Sequence, residues 1–85
     1  MINLGKGTDT VNFLPASIGN NTINNFNTSK DTIVFNHALF ANFAAVFGAT
    51  TQVGSDTVIK HDANDSVTLT NTIASTLSSN NFHFS

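Results

Sequence analysis

The sequence predicts a mainly β domain, a short parallel coil of strands capped by one α-helix at about 37–47 and a β-hairpin at about 56–70. Three observations lead there. First, Asp9-Thr10-Val11-Asn12-Phe13 returns at an offset of 22 as Asp31-Thr32-Ile33-Val34-Phe35, with a weaker third copy at Asp56-Thr57-Val58-Ile59. Short self-similar units of this kind suggest a chain that adds one strand to a stack with each turn. The repeats by themselves favour an ordinary small β domain over a solenoid. Second, from Asn36 the apolar period lengthens: Phe40, Phe43, Ala44 and Phe47 fall at i, i+3, i+4 and i+7, one face of a helix. Third, strand-like runs at 56–61 and 66–70 flank Asp62-Ala63-Asn64-Asp65, whose side chains can bond nearby amides and close a turn.

In chain order, residues 2–13 open with glycines that permit a tight turn and finish in alternating Val11 and Phe13, a short strand. Pro15 ends it, because proline has no N–H for a central ladder. Ile18, Ile23 and Phe26, separated by Gly19 and several asparagines, read as a second short strand within 18–26, and 27–30 as a polar connection. Residues 32–35 are β-branched or aromatic and form the next strand. Asn36 is a fitting N-cap, since its side-chain oxygen can accept from first-turn amides, and Gly48 can take the left-handed conformation that ends a helix. The stretch 32–48 is the densest apolar run, so the Phe face of the helix is expected to be the packing centre. A fully buried Phe43 would then cost about 3–5 kcal/mol on truncation to Ala. Val67 and Leu69 of the hairpin should face the core with Val58 or Ile59. After a polar turn at 78–81, Phe82-His83-Phe84 reads as a terminal strand with one buried face.

Composition narrows the function. There is no cysteine, hence no disulfide and no thiolate zinc site. A domain of this size buries only about 60–70% of the surface of its unfolded chain, so added stability is expected from an ion, an oligomer or a larger protein. The net charge is −2, with 9% charged residues and neither Arg nor Glu, which argues against a phosphate-binding surface and therefore against nucleic acid. No apolar run approaches the ~20 residues of a membrane span, so no membrane insertion is expected. The N-terminus lacks a basic region followed by an apolar one, and an export signal, if present, is not N-terminal. No Gly-x-Ser-x-Gly elbow or other nucleophile context appears, so no enzymatic activity is expected. His37, His61 and His83 stand at no recognised ligand spacing. Residues 62–66 open like an EF-hand loop, but Val67 stands where Gly is needed and Ile73 where the bidentate Glu is needed, which leaves a turn. Asp9, Asp31 and Asp56 each precede a strand and are read as turn caps. For Asp9 there is a second reading, in which it joins the carbonyls of Gly5 and Gly7 as half a calcium site.

Placed in order, Gly5-x-Gly7-x-Asp9-x-Val11, then Ile23-x-Asn25-Phe26, Asp31-Thr32-Ile33-Val34-Phe35, the Phe-rich helix, Gly54-x-Asp56-Thr57-Val58-Ile59 and the closing Asn81-Phe82-His83-Phe84 resemble the C-terminal end of RTX-type proteins. These are the hemolysin-type calcium-binding proteins of Gram-negative bacteria. The resemblance covers nearly the whole chain, most closely 23–84. In that family, nonapeptides Gly-Gly-x-Gly-x-Asp-x-apolar-x wind a right-handed parallel β-roll with calcium in its turns. The segment after the last repeat caps the roll and contains an uncleaved type I secretion signal. The resemblance thus implies a single domain over 1–85, with 1–13 the remnant of a repeat and 14–85 the cap. It implies a Ca2+ site at Gly5, Gly7 and Asp9, and a secretion signal at Asn81, Phe82, His83 and Phe84. The implied partners are upstream repeats or a passenger domain and the type I secretion apparatus, and the implied location is extracellular. Leu4 stands where the repeat begins with Gly, and Lys6 fills a variable position. Asn25 and Asn81 replace the family's Asp before Phe, each removing a carboxylate. The alternative function, from another class, is an extracellular binding or self-association module: an adhesion or carbohydrate-binding domain, with homodimers forming through open strand edges at the N-terminal turn.

Overall fold

The structure, a computed structural model, describes residues 2–5, 7–14 and 18–85. The expectations for Lys6 and Pro15 lie outside these residues. The elements in chain order are β1 (Ile2–Asn3), β2 (Thr10–Phe13), β3 (Asn20–Asn24), β4 (Thr32–Phe35), α1 (Phe43–Gly48), β5 (Thr50–Val53), β6 (Asp56–Asp62), β7 (Asp65–Leu69) and β8 (Phe82–Phe84), with 3-10 turns at Ala74–Thr76 and Ser79–Asn81.

The 22-residue offset of the sequence repeat is the strand register. β2 and β4 pair in parallel with Thr10 opposite Thr32, Val11 opposite Ile33 and Phe13 opposite Phe35. In a second sheet β1 pairs in parallel with β3, Ile2 opposite Ile23. β7 then adds in parallel to β3, and β8 to β4. The chain therefore alternates through β4 between a three-stranded sheet, β2-β4-β8, and a five-stranded one, β1-β3-β7-β6-β5, then places β5, β6 and β7 in the larger sheet before β8 returns to the smaller. Parallel neighbours cannot be joined by a tight hairpin; here each connection passes through a strand of the other sheet. The class is mainly β, with one short helix and with parallel and mixed sheets.

Alternation along the strands builds the core. Val11 and Phe13, Ile33 and Phe35, and Phe82 point inward from the three-stranded sheet, and Ile23, Ile59, Val67 and Leu69 meet them from the other. Phe35 is at the centre and has no exposed surface. Its ring stacks on Phe13 at 5.8 Å and on Phe82 at 6.1 Å, and takes the edge of Phe40 at 4.9 Å. Rings at these separations add to what area burial supplies, roughly 1.5–3 kcal/mol for a Phe taken fully out of water.

Several expectations are corrected. The third copy of the repeat, 56–59, does not continue the stack. It lies in β6, antiparallel to β7, with Thr57 opposite Leu69 and Ile59 opposite Val67. A hairpin closed locally at Ala63 and Asn64 orders far less chain than a parallel return, so the nearby partner wins; the third strand on β4 is Phe82–Phe84. The hairpin forms where expected, and of the two candidates Ile59 is buried with Val67 and Leu69. β5, which no sequence signal marked, extends it across a turn where Gly54 holds φ +61.

The helix is shorter than 37–47 and presents a different face. Asn36 caps a turn, not a helix: its Oδ1 accepts from the N–H of Ala38 at 2.8 Å and its carbonyl from Leu39 and Phe40. Asn42 then starts α1, accepting from the Ala45 N–H at 3.0 Å. Burying Leu39 and Phe40 together breaks the helical period before Asn42 restarts it. Val46 is the buried helical residue, while Phe43 is half-buried and Phe47 is 55% exposed. Gly48 stays helical, and Ala49 caps the end at φ −93 with no left-handed residue. The packing centre is thus Phe35, and the full cost expected of a buried Phe43 does not apply. Among the described residues no helix is long and apolar enough to cross a membrane.

Candidate functional site

The three strands β2, β4 and β8 are each entered through a polar residue: Asp9, Asp31 and Asn81. Asp31 is 1% exposed, and both carboxylate oxygens are occupied. Oδ1 accepts from the backbone N–H of Asp9 at 2.9 Å and Oδ2 from that of Asn27 at 2.8 Å. Thr32 N–H donates back to the Asp9 carbonyl at 2.9 Å. One side chain therefore ties its own turn to the preceding one. Asp56, which bears the same Asp-Thr-apolar signature, accepts from the Asn71 N–H at 2.9 Å. The turn-cap reading holds for Asp31, whereas Asp56 reaches instead to the turn that follows β7.

Asn81 continues this column with reversed polarity. Its Nδ2 donates to the carbonyls of Thr28 at 2.8 Å and Asp31 at 3.1 Å, while its Oδ1 accepts from the Ser78 N–H at 3.0 Å. A carboxylate has no hydrogens to give those carbonyls. The geometry therefore calls for the amide at this position. Asn81→Asp is expected to destabilise the fold by about 2–4 kcal/mol, from two lost donors and a buried charge. Urea unfolding of the two proteins measures it, and a change under about 0.5 kcal/mol would show that the amide is dispensable.

The calcium residues come out incomplete. Gly5 and Gly7 are exposed, and Gly7 holds φ +100, a backbone that L side chains rarely adopt. Asp9 is partly buried, and its Oδ2 is enclosed with no hydrogen-bond partner among the described residues. Among the described residues, that orphaned oxygen is the feature of the turn that suits a cation. Calcium takes six to eight oxygens, usually including several carboxylates. The neighbouring carboxylate, Asp31, already spends both oxygens on N–H groups. The donor set of this turn does not fit calcium by itself.

The sequence reading missed a second grouping. The β6–β7 turn brings His61, Asp62 and Asp65 together, with ligand atoms within 4.8 Å of one another. Each acidic group already has structural work: Asp62 Oδ1 accepts from the Asn64 N–H at 2.8 Å, and Asp65 Oδ1 from the N–H groups of Ile18 at 2.7 Å and Gly19 at 3.0 Å. The hairpin signal was legible and places 61 near 65, but the grip of Asp65 on a turn 46 residues away had no local sign. His37 and His83 are not part of this group; His37 Nδ1 lies 2.7 Å from the Ser85 carbonyl and His83 is exposed on β8. Of the four residues expected to carry a secretion signal, Asn81 and Phe82 are each 3% exposed, Phe84 is partly buried and only His83 faces solvent freely.

Comparison of the sequence with protein-family models finds no match, and comparison with curated proteins finds none either.

Proposed function

We propose that the chain is the C-terminal cap of an RTX-like exported protein, closing a calcium-binding β-roll and carrying a type I secretion signal in 81–84. The reading is supported above all by the asymmetry between the two ends of the fold. At one end β1 and β2 are the terminal strands of their sheets, each with an outer edge unpaired among the described residues. Both already carry parallel neighbours, so further parallel turns of the same kind extend both sheets at once. At the other end the antiparallel β5 and β6 end the parallel series, and Phe40 and Phe43 lie on Phe35 and Phe82. One end is open to further parallel turns in both sheets, whereas at the other the five-stranded sheet ends in antiparallel strands and β8 alone remains a parallel edge. In this reading the chain is a right-handed β-roll end, non-enzymatic and extracellular. The oxygens that Asp9 lacks for calcium come from the turn of an upstream repeat.

Fusion of residues 1–85 behind a passenger and assay of type I export tests the secretion half. Because Phe82 is a core residue, Phe82→Ala alone confounds folding with signalling. Phe35→Ala, which disrupts the fold without touching 81–84, separates them. The expected result is export that persists with Phe35→Ala and is lost with Phe82→Ala and Phe84→Ala, as for a signal read along the chain. Export indifferent to both tail substitutions removes the secretion half. For the calcium half, the chain extended upstream by two Gly-Gly-x-Gly-x-Asp repeats is expected to melt higher in millimolar calcium than in chelator. An unchanged melt leaves a purely structural cap.

A further inference from the structure

The geometry points to a binding groove for a neutral oligosaccharide, between the turns that follow β3 and β7. The parallel ladder ends at the Ile23–Leu69 pair, and Asn25 and Asn71 each lie two residues past it. Both hold left-handed backbone, at φ 67 and φ 50, a conformation that Asn accepts better than most side chains. The two turns therefore stack in step. They enclose an open groove of about 400 Å³ lined by Asn25, Phe26, Asn27, Thr28, Thr70 and Asn71.

The chemistry of the lining selects the ligand. No charged side chain lines the groove, so a phosphate or carboxylate finds no counter-ion. Phe26 is 7% exposed, which leaves little apolar wall for an aromatic or aliphatic ligand. Some polar groups are already committed: Asn25 Nδ2 donates to the Leu4 carbonyl at 3.3 Å, Thr70 Oγ1 to Asn24 Oδ1 at 2.7 Å, and Asn27 Oδ1 accepts from the Ser29 N–H at 2.8 Å. Others are free. Among the described residues the side-chain amide of Asn71, Nδ2 of Asn27 and the hydroxyl of Thr28 have no partner within the chain. This leaves uncharged donors and acceptors in one concavity. Sugar hydroxyls, each a donor and an acceptor with no charge to neutralise, complement them.

This inference rests on the groove alone, so its failure leaves the capping role standing. The test is a titration of the nitrogen-15-labelled chain with maltotriose, chitotriose and mannotriose, each to millimolar concentration, followed by amide NMR. With at least one of them the side-chain resonances of Asn27 and Asn71 are expected to shift saturably. Asn71→Gly removes the free amide at a backbone angle that glycine accepts, and Thr28→Val removes a hydroxyl with no partner among the described residues, so both variants are expected to fold. Each should weaken the interaction about three- to tenfold. No shift with any of the three sugars, shifts centred elsewhere, or shifts indifferent to both substitutions would overturn the assignment.

Discussion

Phe35→Ala is expected to destabilise the domain by about 3–5 kcal/mol, the range for removing a buried aromatic ring and leaving its cavity. The chain has 85 residues, and at about 0.05–0.15 kcal/mol per residue its total stability is roughly 4–13 kcal/mol. The substitution therefore removes a large share of it, and the melting temperature should fall by roughly 12 °C or more. The reason is position. Phe35 has no exposed surface, and it is the ring on which Phe13, Phe40 and Phe82 converge from β2, the turn after β4, and β8. Phe13 and Phe82 are fixed by their strand registers and cannot swing into the vacated space. Phe47→Ala is the control: with 55% of its surface in water it should change stability by less than about 0.5 kcal/mol. Urea unfolding of both variants decides the matter, and equal losses would mean that the ring column is not the packing centre.

The contrast between these two phenylalanines shows what the sequence made legible. Strand-level pattern read well, because period-two burial is local: Val11 and Phe13, Ile33 and Phe35, and Val67 and Leu69 are all inward as their alternation implies. The repeat offset read better still, since in a parallel stack an offset in sequence becomes a register in space, Phe13 opposite Phe35. The helix read poorly, because Phe40, Phe43 and Phe47 satisfy helical spacing, yet only Phe43 and Phe47, with rings 5.8 Å apart, lie on the helix, and Phe40 is buried from the turn before it. Two asparagines, Asn36 and Asn42, both offer caps, and the chain turns at the first and winds only after the second. The third strand of the smaller sheet was legible as a strand, but its partner was hidden for another reason. Phe82 pairs with Ile33 across an interval of 49 residues occupied by the helix and hairpin, so no fixed offset announces it. Of the candidate site, the positions of Asp9 and Asp31 ahead of their strands were visible, whereas the destination of Asp31's oxygens depends on the stack.

That dependence makes Asp31→Ala the other substitution with a large expected effect, about 2–5 kcal/mol. The carboxylate is 1% exposed and serves two backbone donors in two successive turns, Asp9 and Asn27. Removing it strands both, at about 1–3 kcal/mol for each donor left unpaired away from water. Asp31→Asn should lose less, since its amide oxygen still accepts one N–H while its nitrogen faces the other. Asp56→Ala, where a single bond to Asn71 lies exposed, should cost under about 1 kcal/mol despite the same Asp-Thr-apolar signature. Hydrogen exchange gives the local readout: the amides of Asp9 and Asn27 should lose protection first in Asp31→Ala, before the core amides of Ile33 and Phe35. If those two amides keep their protection, the carboxylate is not what joins the turns. If they lose it, the stack is held at its edge by a side-chain acceptor reaching back one turn. Asp9, equivalent to Asp31 by the repeat, then has, among the described residues, one oxygen still without a donor at the end of the stack where β1 and β2 lie open.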